Sequence, residues 1–95
     1  MVADECKPRS FFVCFQAETT RGPMLRDVTL TVSPKNKDKP VLFNSDTIAF
    51  LRKTITNDMI NECRAMELKR PRNDLGPPVA FVGRIVFTQI TPLEV

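Results

Sequence analysis

A nucleophile in this chain of 95 residues would have to be a cysteine or serine working without imidazole, because the sequence holds no histidine. Thiols gain reactivity when a base or a nearby cation favours the thiolate, which leaves lysine, arginine or a carboxylate as helper. Of Cys6, Cys14 and Cys63, Cys6 has Lys7 and Arg9 close by and is the residual candidate for a reactive thiol. Cys14 lies in an apolar run and Cys63 in a helical pattern, where a thiol acts as a small hydrophobe. Three thiols cannot all pair within one chain and no CxxC occurs, so a reducing cytoplasm suits the sequence. Asp58 and Glu62 share a helix face, an arrangement usual for a solvated surface rather than for an acid and base pair. With the commonest neutral nitrogen ligand for metals missing as well, these residues predict a non-enzymatic protein with no metal and no cofactor.

Binding chemistry is better represented. The three glycines, Gly22, Gly76 and Gly83, stand in separate segments and make neither a P-loop nor a dinucleotide fingerprint. Candidate phosphate contacts are cations: Lys69, Arg70 and Arg72 around Pro71, and Lys35, Lys37 and Lys39 between Pro34 and Pro40. Each group has a plainer reading, the first as the cationic end of a helix and the second as a solvated connector. The net charge of +3 is spread over both halves of the chain, without the dense basic stripe of a sequence-neutral nucleic-acid binder. Phe11, Phe12 and Phe15 are available for base stacking, yet no basic residue interrupts Ser10 to Glu18. Core packing or a protein interface therefore ranks above nucleic acid, which stays the second choice.

Residues 1–9 are polar, include Pro8 and predict a loose arm ahead of one domain over residues 10–95. No apolar leader is visible, and no run approaches the roughly 20 apolar residues of a membrane span, so no membrane role is expected. Phe11 to Glu18 predicts a strand with apolar residues on both faces, hence a central one. Gly22-Pro23 predicts a turn, and Asp27 to Val32 alternates as a half-buried strand should, completing a hairpin.

Helix signals follow from residue 45 to 69. Asn44 or Ser45 can cap it, Asp46 suits its first turn, and Ile48, Leu51, Ile55, Met59 and Met66 recur at helical spacing. Phe50 and Leu68 fall nearly opposite this stripe. Either the helix breaks near Thr54 to Asn57 and restarts with a new face, or it is continuous and Phe50 and Leu68 belong to a second contact surface. After a turn cluster over 73–78, Val79 to Ile90 predicts the third strand, with Gly83 as a bulge and Thr91-Pro92 as its stop.

The order β-β-α-β predicts an α+β fold: a three-stranded antiparallel sheet of order 2-1-3 with one helix, continuous or broken, on one face. One helix covers one sheet face only. Phe12 and Cys14, or their opposite-face neighbours, then need cover from another chain, and together with Phe50 and Leu68 they form the candidate partner surface of an expected homodimer or hetero-complex.

An aromatic first strand, Phe11-Phe12-Val13-Cys14-Phe15, its hairpin partner, one helix and the final strand Ile85 to Glu94 give a layout that resembles small accessory proteins of phages and prophages. That resemblance spans about residues 10–94. It implies a role in the host cytoplasm, in some cases the binding and blocking of a host protein such as a defence nuclease. The long segments 33–43 and 57–78, and the absence of a glycine run after the first strand, depart from that pattern, and no site residue carries over.

Overall fold

The computed structural model describes residues 7–34 and 39–93. Four elements follow in order: β1 (Arg9–Thr19), β2 (Gly22–Val32), α1 (Ser45–Leu68) and β3 (Phe81–Leu93). Both neighbours of β1 run antiparallel to it, and the sheet order is β2-β1-β3. The α+β class and the 2-1-3 order expected from the sequence are the ones observed.

Alternation along β1 decides which face the helix takes. Phe11, Val13, Phe15, Ala17 and Thr19 are buried, and the intervening residues are half-buried. Phe11, Val13, Phe15 and Ala17 join Leu51, Ile55, Met59 and Cys63 of α1 in one core, with Val28, Leu30 and Phe87 at its margins. The opposite face stays open and carries Phe12 and Cys14. Around them stand Thr29 and Thr91, and Asp27 and Gln89, directly across on the two outer strands. Such a polar surround is normal for the solvated side of an antiparallel sheet.

The structure decides the open alternatives for the helix and corrects several other expectations. The helix does not break: α1 is continuous, and the weak helix formers Thr54 to Asn57 are carried by the buried residues on either side. Asn44 is the cap, its Oδ1 accepting the Thr47 backbone N–H at 3.1 Å. Met66 is exposed rather than in the stripe, and Cys63 takes its place. The reason is spacing. Buried positions on α1 are Thr47, Leu51, Ile55, Met59 and Cys63, a strict four-residue step. At about 100° per residue each step turns the seam by about 40°, so the seam winds around the helix as it follows the twisted sheet, and Met66 is carried off to one side. Lys69 and Arg70 lie just beyond the helix, with no basic residue in the last turn.

The strands extend past their expected bounds at both ends of β1, the start of β2 and the end of β3, while β3 starts at Phe81 rather than Val79. β1 includes Arg9, which the sequence assigned to the arm; its guanidinium reaches the Val41 carbonyl at 3.3 Å and lies 5.5 Å from the Phe11 ring centre. The hairpin turns at Thr20-Arg21, and Gly22 closes it with φ +102°, a backbone state that glycine adopts without cost. Pro23 is then the second residue of β2 rather than part of the turn. At the other end β3 runs through Pro92 to Leu93. Proline is tolerated there because β3 is an edge strand, where a missing N–H is not needed by a neighbour. Gly83, with φ +94°, sits where the β1–β3 register shifts, as the expected bulge requires.

Candidate interaction surface

The four residues of the candidate partner surface are not one patch. Phe12 and Cys14 belong to the open sheet face, while Phe50 and Leu68 are on α1 beyond the other face. Eighteen residues separate Phe50 from Leu68, five helical turns or about 27 Å along the axis. Asn57, Asn61 and Arg64 stand on the side between them, all exposed, so the two hydrophobics are separate points.

Cation groups divide as well. Lys35 and Lys37 lie outside the described residues, as does Cys6. Lys39 is exposed at the end of the sheet where β2 leaves and α1 begins. Lys69, Arg70 and Arg72 are at the opposite end, a helix length of about 36 Å away. Arg70 is already engaged: its Nε is 3.1 Å from Glu67 Oε1 and its Nη1 donates to the Gly76 carbonyl at 2.8 Å. Lys69 and Arg72 are exposed.

The most constructed part of the surface is this second end, where the segment between α1 and β3 is tied to the hairpin turn. Arg21 makes a two-pronged contact with Asp74, Nη2 to Oδ1 at 3.0 Å and Nη1 to Oδ2 at 3.2 Å, and its Nε donates to the Pro77 carbonyl at 2.8 Å. A planar guanidinium is suited to such double contact. A Cβ on Gly76 would come within 3.1 Å of that guanidinium, so a larger residue there would push Arg21 aside. Thr20 adds three bonds: its hydroxyl donates to the Pro78 carbonyl and accepts the Ala80 N–H at 3.0 Å, and its own N–H reaches the Ala80 carbonyl at 2.9 Å. Glu67 accepts the Val79 N–H at 3.1 Å from the helix side. Asp74 is held below the usual carboxylate range, first by the Arg21 hydrogen bond and then by the Gly76 N–H.

This bracing displays two leucines. Leu75 is 93% exposed and Leu68 87%, against 45% for Phe50. Leu75 was not singled out by the sequence, because Asn, Asp, Gly and Pro around it read as turn chemistry. The available signal was an apolar residue in a turn cluster with no core-facing period to explain it.

Reactive groups are sparse among the described residues. No three histidine, cysteine, aspartate or glutamate side chains stand together as a metal site would require. Burial, then the adjacent Glu62 charge, raises the Cys63 thiol above its ordinary value. An alkylating reagent applied to the native protein is expected to modify the half-buried Cys14 and to spare Cys63 until denaturant is added, as read by peptide mass spectrometry. Equal rates at the two thiols would contradict the burial of Cys63. No helix among the described residues is long and apolar enough to cross a membrane. No protein-family model, no curated protein and no solved structure matches the chain.

Proposed function

We propose that the protein is a small non-enzymatic protein-interaction module, acting as a homodimer, that docks the Leu68 and Leu75 end of the domain onto a partner protein. One observation carries this reading: Leu75 is almost wholly exposed on a segment that Arg21, Thr20, Glu67 and Arg70 hold in place. Side chains fixed before binding lose less entropy when bound, so a braced loop with an apolar tip is suited to docking. Lys69 and Arg72 beside it favour an acidic rim on the partner. By the resemblance in layout, that partner is a host protein in the bacterial cytoplasm.

The test is a paired capture from host lysate, with the wild type and a Leu68→Ser/Leu75→Ser variant as baits. Neither leucine supports the core, so the variant is expected to keep its circular dichroism spectrum and melting temperature while losing at least one captured protein. Identical captures would remove the docking role from this end. Nucleic-acid binding remains the second reading, on the strength of the exposed Lys69 and Arg72 at the same end. It requires gel shifts at low salt that weaken steeply as salt rises and disappear when both cations are changed to alanine.

A further inference from the structure

The sheet has two edges, and they are guarded very differently. On β3 the pairing with β1 is interrupted twice, between Cys14 and Phe15 and between Ala17 and Thr19. Pro92 lies in the same strand, and Arg52 reaches over from α1 to donate to the Ile85 carbonyl at 2.6 Å. Bulges, proline and charged side chains at an edge are the devices that stop a further strand from adding. β2 has none of the irregularity: it pairs with β1 in unbroken register from Gly22 to Val32. Its guards, Pro23, Arg26 and Asp27, all fall in the first part of the strand. From Val28 to Val32 the edge has no charge, no proline and no glycine, the composition most prone to strand addition.

That unguarded stretch reads Val-Thr-Leu-Thr-Val, the same in both directions. Two antiparallel copies related by a two-fold axis at Leu30 would set Leu30 against its own counterpart, Val28 against Val32 and Thr29 against Thr31. Apolar side chains then meet on the helix side and threonines on the open side, with no like charges opposed.

The helix above adds a second, independent observation. Phe50, Thr54, Asp58 and Glu62 run one residue behind the buried seam at each turn, and Glu62 shows which way this row faces: its Oε1 is 3.5 Å from Arg26 Nε on β2. Ile55 and Val28 line one small cleft. Phe50 is five residues, or about 7.5 Å, nearer the helix start, which brings it level with the Leu30 end of β2. It is 45% exposed there. A second copy paired along β2 would bring its own helix alongside and cover this ring.

We infer that two copies of the chain associate through the free edge of β2, pairing Val28–Val32 antiparallel about a two-fold axis at Leu30 into one six-stranded sheet with Phe50 of each copy beside the axis. This rests on the homodimer in the proposed function and names the surface that forms it.

Sedimentation equilibrium of the full chain tests it, with Thr29→Lys/Thr31→Lys and Thr29→Glu/Thr31→Glu variants beside the wild type. Both threonines are exposed, so the variants are expected to retain the native circular dichroism spectrum. The wild type should sediment at twice 10.8 kDa. Each variant alone sets like charges opposite one another, raising the dissociation constant about tenfold or more, and a mixture of the two should recover the dimer. A wild type that stays monomeric at high concentration overturns this inference together with the homodimer. A dimer that persists unchanged in both variants, or a mixture that fails to recover it, overturns the β2 edge while the homodimer reading stands.

Discussion

Phe11→Ala is expected to remove a large share of the protein's folding stability. Phe11 is fully buried on the central strand, between Leu30 of β2 and Pro92 of β3, with Phe43 packed against it at a ring separation of 5.9 Å. Removing a buried phenyl ring from a site that cannot collapse costs about 3–5 kcal/mol. A domain of this size has about 5–14 kcal/mol in total. Collapse is hindered because both sides of β1 are fixed by backbone pairing and the buried seam of the helix packs along the sheet. Thermal melting followed by circular dichroism should show a midpoint lower by roughly 12 °C or more. A drop of only a few degrees would mean that the site has repacked and that the core is looser than its burial indicates. Phe12→Ala, one residue away on the open face, serves as the control and should have a much smaller effect.

Arg21→Ala should have the largest effect outside the core, and a local one. Its guanidinium links the hairpin turn to Asp74 and Pro77, more than fifty positions later in the chain. The bond to the Pro77 carbonyl alone is worth on the order of 1 kcal/mol, and the side chains it orders are partly in water, where ion pairing adds less. Loss of the brace is expected to raise the rate of limited proteolysis within residues 71–80 about tenfold, since local opening of the segment then requires correspondingly less free energy. Acid should imitate the substitution. Folding depresses the Asp74 carboxyl, so the stability it contributes is complete above the ordinary carboxylate value of about 4 and is lost as pH falls through the lower, folded-state value. The difference in melting temperature between wild type and Arg21→Ala should therefore shrink as the solution is acidified. A difference that is constant across that range would place the effect in packing rather than in the Asp74 contact.

Local order was legible where one residue type had one reason to be present. The alternation of Val28, Leu30 and Val32 against threonine marked the end of β2, the pair Asn44 and Ser45 marked the helix start without choosing between them, and Gly83 marked a bulge. Less visible were features set by neighbours. The first half of β2, Met24 to Asp27, does not alternate, and it is a strand because β1 pairs with it residue by residue. Pro92 looked like a stop because nothing local shows that β3 is an edge. Cys63 displaced Met66 because the helix seam follows the twist of a sheet made from other parts of the chain. The braced loop was hardest of all: Arg21 and Asp74 are ordinary surface residues until the fold brings them together, and Leu75 draws attention only once that brace is seen. Apolar content drew Phe12, Cys14, Phe50 and Leu68 into one candidate surface, whereas the sheet and helix distribute them over different sides.

The order β2-β1-β3 also bears on how the chain is made. Ser10 lies opposite Leu93, so the middle strand is synthesised first and one of its two neighbours last. Until residues 81–93 are in place, β1 has one bare flank and the apolar residues that lie beneath the helix are only partly covered. Contacts so distant in sequence form slowly, and a nascent sheet with an open side is a substrate for chaperones and for aggregation. The docking of this thirteen-residue strand is thus the step that closes the vulnerable stage.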